Sequence, residues 1–142
     1  MAIGFSQKGV DYDEIFAPVA RYTTIRSVMS LASVLGWKLN QMDVKTTFLN
    51  GEVEQEVYVE QPDGFVVHSK VSHVCKLKKA LYGLKQAPRV WYDRIDGFLR
   101  SLGFSKSSAD SNIYFKVVEN HPLIFVLYVD DRFLIGEDIQ IA

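Results

Sequence analysis

LIFVLYVDDRFLIGED, residues 123–138, opens with seven apolar side chains, Leu123 to Val129, stops on two adjacent carboxylates, and turns apolar again at Phe133. β-Branched and aromatic residues dominate both apolar runs, so the stretch predicts two strands joined as a hairpin with Asp130 and Asp131 in its turn. Strand alternation breaks down in a turn, and at least one of these carboxylates can then face a groove instead of the core. Adjacent like charges repel, whereas a cation neutralises them; Mg2+ takes one or two carboxylates along with water and substrate phosphates. An isolated Asp-Asp pair reads first as an ordinary hairpin turn, so its chemistry depends on what else the chain brings to it.

Outward from this hairpin, Ile113 to Val118 is a third strand-like run, linked to it through Glu119-Asn120-His121-Pro122. Pro88 is a good first helical residue, and Val90, Trp91, Ile95, Phe98, Leu99 and Leu102 then define an amphipathic helix that ends at Gly103. Val66-Val67 and Val74 to Leu77 flank a polar loop and predict a hairpin, and EVYVEQP (56–62) predicts a strand ended by Pro62. The turn at Leu49-Asn50-Gly51 closes a short helical segment. In TTIRSVMSLASVLG (23–36), Ile25, Val28, Met29, Ala32 and Leu35 recur at helical spacing, Thr23 or Thr24 can cap the start, and Gly36 suits the C′ position. WKLNQMD (37–43) directs Trp37, Leu39, Gln41 and Asp43 one way and Lys38, Asn40 and Met42 the other, a strand that delivers Asp43 at its end. The sum is an α+β fold, with two helices packed on one face of a largely antiparallel sheet.

Composition fits one domain: 142 residues, 48% hydrophobic and 23% charged, with no internal repeat or low-complexity tract. No stretch reaches about 18 consecutive apolar residues, and MAIGFSQKG has neither a basic nor an apolar leader region, so the expectation is an intracellular protein that is not secreted and has no membrane partner. The single cysteine, Cys75, excludes an intramolecular disulfide or a multi-cysteine zinc site and reads as a buried strand residue. Charge is uneven. Residues 70–106 hold nine basic side chains against Asp93 and Asp96, a local charge of +7, which leaves seven bases and fifteen acids elsewhere, −8. This suggests one face that meets an anion such as nucleic acid and another that holds acids, although taken alone the basic run reads first as a solvated helix face.

Asp43, an acid ending another apolar-flanked strand, is the candidate third carboxylate. Two such strands side by side would gather Asp43, Asp130 and Asp131, enough to hold two metal ions about 3.5–4 Å apart across an in-line displacement. His68, His73 and His121 fall in predicted loops without ligand spacing and read as exposed bystanders.

Five segments, DYDEIFAPVARYTTIR, GWKLNQMDVKTTFLNGEVEQEVYVEQPDGF, VCKLKKALYGLKQAPRVWYDRI, SLGFSKSSADSNIYF and LYVDDRFLIGED, resemble successive blocks of the reverse transcriptase of Ty1/copia-type LTR retrotransposons, in order, at family spacing and over essentially the whole chain. The resemblance implies the palm and part of the fingers of a right-hand polymerase with a YVDD hairpin. Such an enzyme copies an RNA or DNA template from a primer into DNA, with dNTP as substrate and two Mg2+ or Mn2+ ions. It works within a polyprotein that also carries protease, integrase and RNase H, in a cytoplasmic virus-like particle or the nucleus. QMDVKTTF resembles motif A, making Asp43 a metal ligand, with Val44 beside it at the incoming triphosphate and Phe48 at the place of an aromatic steric gate. A core Phe is the alternative there. YVDD resembles motif C, with Asp130 as the second main ligand, Asp131 as a weaker one and Tyr128 near the primer terminus. LYGLKQAP resembles motif B: Gly83 would permit close backbone approach to the nascent base pair, while Lys85, Gln86 and Arg89 would meet template or triphosphate.

Two departures from the family pattern stand out. The chain starts at GFSQKG and ends at Ala142, which predicts a single partial domain, residues 1–142, without the preceding fingers strands, the thumb or RNase H, and with exposed sheet edges. Arg132 stands where the family usually has an apolar residue, and is expected either to reach solvent or to pair with Asp130 or Asp131 in competition with metal. Three functions therefore remain open: a polymerase palm, a module that binds nucleic acid without catalysis, and a metal-dependent phosphatase or nuclease built on the same acids.

Overall fold

The computed structural model describes residues 17–53, 56–70 and 72–137, which form two compact units, residues 17–45 with 92–137 and residues 46–91. Residues 11–16 of the first family block, the GFSQKG start and Asp138 lie outside the described residues. In chain order the elements are α1 (Tyr22–Leu35), β1 (Lys38–Asp43), β2 (Tyr58–Val59), β3 (Cys75–Lys76), α2 (Ala87–Ser101), β4 (Ser105–Lys106), β5 (Ile113–Val118), β6 (His121–Tyr128) and β7 (Asp131–Gly136). Among the described residues no helix is long and apolar enough to cross a membrane.

The first unit is a five-stranded antiparallel sheet in the order β1-β7-β6-β5-β4. Its core follows from the alternation of β6, whose neighbouring residues Phe125, Val126 and Leu127 are all buried. A strand buried on both faces needs cover on both. Ile113, Val126 and Ile135 pack with Ala32 of α1, and Ile25, Val28, Ile124 and Phe133 close around them. The opposite face carries the cross-strand row Tyr114, Phe125 and Leu134, and there the Tyr114 hydroxyl donates to Asp96 of α2 at 2.7 Å. The two helices therefore lie on opposite faces, not on the one face the periodicity suggested. Burying an apolar side chain as fully as Leu123, Val126 or Ile135 contributes roughly 1.5–3 kcal/mol each.

Two carboxylates fix the helices. Asp110, just before β5, accepts the Arg21 N–H at the start of α1 at 3.2 Å and also bonds the Thr24 side chain. No side chain of the helix caps its own N-terminus; a carboxylate from the segment before β5 replaces the expected Thr23 or Thr24 and meets the positive end of the helix dipole. Gly36 ends α1 in the left-handed conformation, φ 67°, as expected. Asp96 of α2 accepts from Lys106 Nζ at 2.7 Å and from Arg100 Nε at 2.8 Å besides Tyr114. Burial alone pushes both carboxyls up; hydrogen bonds outweigh it and hold each below its ordinary value of 3.8.

Boundaries differ from the sequence reading in several places. Glu119 and Asn120 form a two-residue turn with both φ values positive, 49° and 69°, the type I′ signature, so His121 and Pro122 belong to β6. His121 is thus a strand residue, and its Nδ1 lies 2.9 Å from Glu137 Oε2. Leu35, Phe98 and Leu102 point to solvent, while the unpredicted Tyr92 is buried and donates to the Ser111 carbonyl at 2.7 Å. β4 was not anticipated.

The second unit holds a short 3-10 helix, Thr47–Asn50, as expected, and the β2–β3 hairpin, Tyr58 opposite Lys76 and Val59 opposite Cys75. Val66-Val67 is not a strand; the loop there is organised by Gln61, whose Nε2 donates to the Lys70 and His73 carbonyls at 2.7 and 2.9 Å. Cys75 is in a strand but exposed. Gly51 has a steric reason: a Cβ there would come within 2.8 Å of Val90 Cγ1.

Asp96→Asn should lower stability at neutral pH by roughly 1–3 kcal/mol. Because folding depresses the Asp96 pKa, its contribution is complete above the ordinary value of 3.8 and is lost as pH falls below it. Urea unfolding followed from pH 7 to pH 3 should accordingly show a shallower acid decline in the variant than in the parent.

Candidate active site at the acidic end of the sheet

The register of the central strands assembles the site. β7 pairs with β1 so that Asp43 lies opposite Asp131, and with β6 so that Tyr128 also lies opposite Asp131. Residues directly opposite in an antiparallel pair share a face, so Asp43, Asp131 and Tyr128 form one row across three strands. The Tyr128–Asp131 pair closes a two-residue turn of Val129 and Asp130. Asp131 is therefore the first residue of β7 and only Asp130 is a turn residue, a shift of one position from the expectation.

The turn is strained. Val129 has φ 52°, a region that a β-branched side chain enters at a cost of roughly 1–2 kcal/mol, and it is half exposed. Its place in the turn puts Asp130 at the tip, where the carboxylate's Oδ1 is buried without a hydrogen-bond partner among the described residues. Asp131 is positioned from β1: Gln41 Nε2 donates to its Oδ1 at 3.0 Å. Sequence reasoning missed this role, although the alternation that set Gln41 on the Asp43 side of the strand signalled it. Tyr22 was missed as well. Its hydroxyl lies 2.8 Å from that of Tyr128, with ring centroids 5.8 Å apart. That hydrogen bond, together with partial burial and the Asp131 charge, raises the Tyr128 pKa.

Arg132 does not reach solvent; it is held at the acidic end of the sheet, where Asp43, Asp130 and Asp131 act on it electrostatically. It alternates to the face opposite Asp131, in a row with Met42 and Leu127, and is 4% exposed. Its Nη2 donates to the main-chain carbonyl of Asp130 at 2.7 Å. Burial pulls the guanidinium pKa down, and the charges of Asp43, Asp130 and Asp131 pull it back up.

Among the described residues no group of three His, Cys, Asp or Glu side chains is close enough to form a metal cage. The residues still suit a divalent ion. All donors are hard carboxylate oxygens, Asp130 presents a buried oxygen with no partner, and Mg2+ characteristically uses one or two carboxylates with phosphates and water completing the shell.

Val44 follows directly on β1 in the same unit. The other residues singled out, Phe48, Gly83, Lys85, Gln86 and Arg89, belong to the second unit. There the Phe48 and Tyr82 rings meet edge to face with centroids 4.6 Å apart, so Phe48 is partly packed. Gly83 has φ 96°, the left-handed region that glycine enters without steric cost. Lys85 and Arg89 are exposed and Gln86 is half-buried. Within the basic run, Lys76 is paired with Glu56, and Arg100 and Lys106 with Asp96, so part of the +7 serves the fold.

Val129→Gly should relieve the turn and raise stability by up to about 1 kcal/mol, the strain removed exceeding the added chain entropy. Thermal unfolding by circular dichroism checks the direction; a drop in the midpoint would contradict the strain.

The whole chain, residues 1–142, matches the family described as reverse transcriptase (RNA-dependent DNA polymerase). It is 52% identical over 137 residues, 95% of its length, to the "Retrovirus-related Pol polyprotein from transposon TNT 1-94" of Nicotiana tabacum. It is 40% identical over 139 residues, 97% of its length, to the corresponding polyprotein from transposon RE1 of Arabidopsis thaliana. A putative transposon Ty5-1 protein of Saccharomyces cerevisiae is 39% identical over 90 residues, 63% of this chain and 29% of that protein. The chain spans 10% of the length of each plant polyprotein. No solved structure matches it. Family match and relatives agree with the acid-bearing hairpin: the chain belongs to the reverse transcriptase family, as a segment of the copia-type retrotransposon Pol kind.

Proposed function

We propose that the acidic end of the sheet is the catalytic centre of an RNA-directed DNA polymerase, in which a primer 3′-hydroxyl attacks the α-phosphate of a dNTP and pyrophosphate leaves. The observation that carries this reading is the register that sets Asp43 against Asp131 with Asp130 on the adjoining turn. Asp43 and Asp130 would hold Mg2+ or Mn2+, with Asp131 as a weaker ligand; two such ions, when bound, lower the pKa of the attacking hydroxyl and stabilise the leaving group. Gln41 orients Asp131 through its side-chain amide. The Asp130 tip is held from below by the Arg132 donor on its carbonyl.

The remaining roles in this reading follow the family motifs. Phe48 acts as the gate whose ring excludes a 2′-hydroxyl, Val44 and Gly83 border the nucleotide, and Lys85, Gln86, Arg89 and Tyr128 meet template and primer. The exposure of Lys85 and Arg89 supports contacts to phosphate, which position the strand without reading its sequence. The partners are an RNA or DNA template-primer and the other parts of a Pol polyprotein, thumb, RNase H and integrase, in a virus-like particle or the nucleus.

The test is Mg2+- or Mn2+-dependent dNTP incorporation on a primed RNA template, with template-primer binding measured in parallel across a salt series. Asp130→Ala should reduce incorporation by at least about 10²-fold while leaving salt-sensitive binding intact. Binding without incorporation in the parent chain would replace the polymerase by a nucleic-acid-binding module. In an active chain, Phe48→Ala should raise ribonucleotide use relative to deoxyribonucleotide use by roughly tenfold, the effect of losing one steric contact.

A further inference from the structure

The Arg132 side chain carries a consequence that the polymerase reading does not require. A guanidinium only 4% exposed has given up most of its hydration, at a cost of several kcal/mol unless opposite charge compensates. Its immediate strand neighbours are Met42 and Leu127, which offer none. Compensating charge comes from the acids at this end of the sheet. Asp43, Asp130 and Asp131 each act on the guanidinium electrostatically, and its Nη2 is anchored to the Asp130 carbonyl at 2.7 Å. Attraction is mutual, so what the acids do for the guanidinium it does for them.

We propose that Arg132 is a fixed counter-ion of the acidic site, occupying part of the electrostatic role of a bound metal from the opposite face of the sheet, so that this chain binds divalent cations more weakly than it would with a neutral side chain there. The inference rests on the reading of Asp43, Asp130 and Asp131 as metal ligands. Three carboxylates and one guanidinium sum to −2 where the acids alone would present −3. The arriving ion is therefore attracted less and also meets direct repulsion from a cation that cannot move away, since its fork is held by the turn carbonyl. Alternation directs the Arg132 and Asp131 side chains to opposite faces, so at Asp131 the guanidinium acts through space, by lowering the potential at the carboxylate. A bond from Arg132 to the Asp130 carbonyl braces the strained Val129 turn, and the positive charge offsets repulsion among the acids.

The experiment counts free Mn2+ by electron paramagnetic resonance during titration of the full chain, which requires no turnover. Arg132→Met keeps the aliphatic packing and removes the charge; Arg132→Gln removes the charge but retains a donor for the Asp130 carbonyl, and carries the test should Arg132→Met fail to fold by circular dichroism. Either neutral variant should bind Mn2+ about tenfold more tightly than the parent, whereas Arg132→Lys should stay within about threefold of it, as expected for a through-space charge effect at partly screened distance. Metal-free Arg132→Met should also gain more in thermal midpoint on adding Mn2+ than the parent does. Neutral variants that bind Mn2+ no better than the parent overturn the inference. Asp130→Asn tells that failure from failure of the site: if Asp130→Asn abolishes Mn2+ binding and the neutral variants leave it unchanged, the ligand reading stands and the counter-ion falls. Binding that ignores Asp130→Asn removes both.

Discussion

The double pairing of β7, with β1 on one side and β6 on the other, is the constraint on which the sheet and its acidic end both depend. Strand periodicity of two makes register an all-or-none matter: a slip of one residue sends every side chain to the other face. In the observed register Phe133 and Ile135 face α1 while Leu134 faces α2, so both cores disfavour a slip. The same register carries Asp43, Asp131 and Tyr128 to one row. Apolar packing along the strands thereby positions polar groups at their ends, which is how a site with few internal bonds of its own is held in place.

Electrostatics at that end are organised across the thickness of the sheet. Acids occupy one face and the turn, Gln41 ties one of them down, and a buried cation sits on the reverse. Asp130 belongs to both sides of the arrangement: its main-chain carbonyl is bound by Arg132, while its Oδ1 remains buried without a partner. A buried acceptor with no donor is costly, typically by about 1–3 kcal/mol, and its presence in the β6–β7 turn fits the proposed reading of this end of the sheet. The strained Val129 is part of the same geometry, since its left-handed backbone is what puts Asp130 at the tip.

Much of this was legible in the chain. The hairpin of residues 123–136, the strand ending at Asp43, and both helices follow from apolar spacing, and five ordered blocks pointed to the family that the whole-chain match establishes. What the spacing concealed has physical reasons. Both helices were placed on one face because each was read alone, yet the unbroken apolar run of β6 already signalled a strand covered on two sides. Thr23 and Thr24 looked like caps, but the α1 N-terminus is capped by Asp110, 89 residues away from Arg21, a tertiary contact that no local pattern encodes. Cys75 looked buried because its neighbours are apolar, yet it is exposed. Arg132 was the hardest: the sequence flagged an odd charge beside the motif, but which face it takes, and that it binds a main-chain carbonyl, depends on a turn one residue earlier than expected.

The central claim is the register, and nuclear magnetic resonance tests it most directly. In isotopically labelled chain, cross-strand backbone Overhauser contacts should link Asp43 with Asp131 and Gln41 with Phe133, and on the other side of β7 should link Tyr128 with Asp131. Contacts that instead link Asp43 with Asp130 or with Arg132 would mean a register displaced by one residue, and the acids would then no longer share a face.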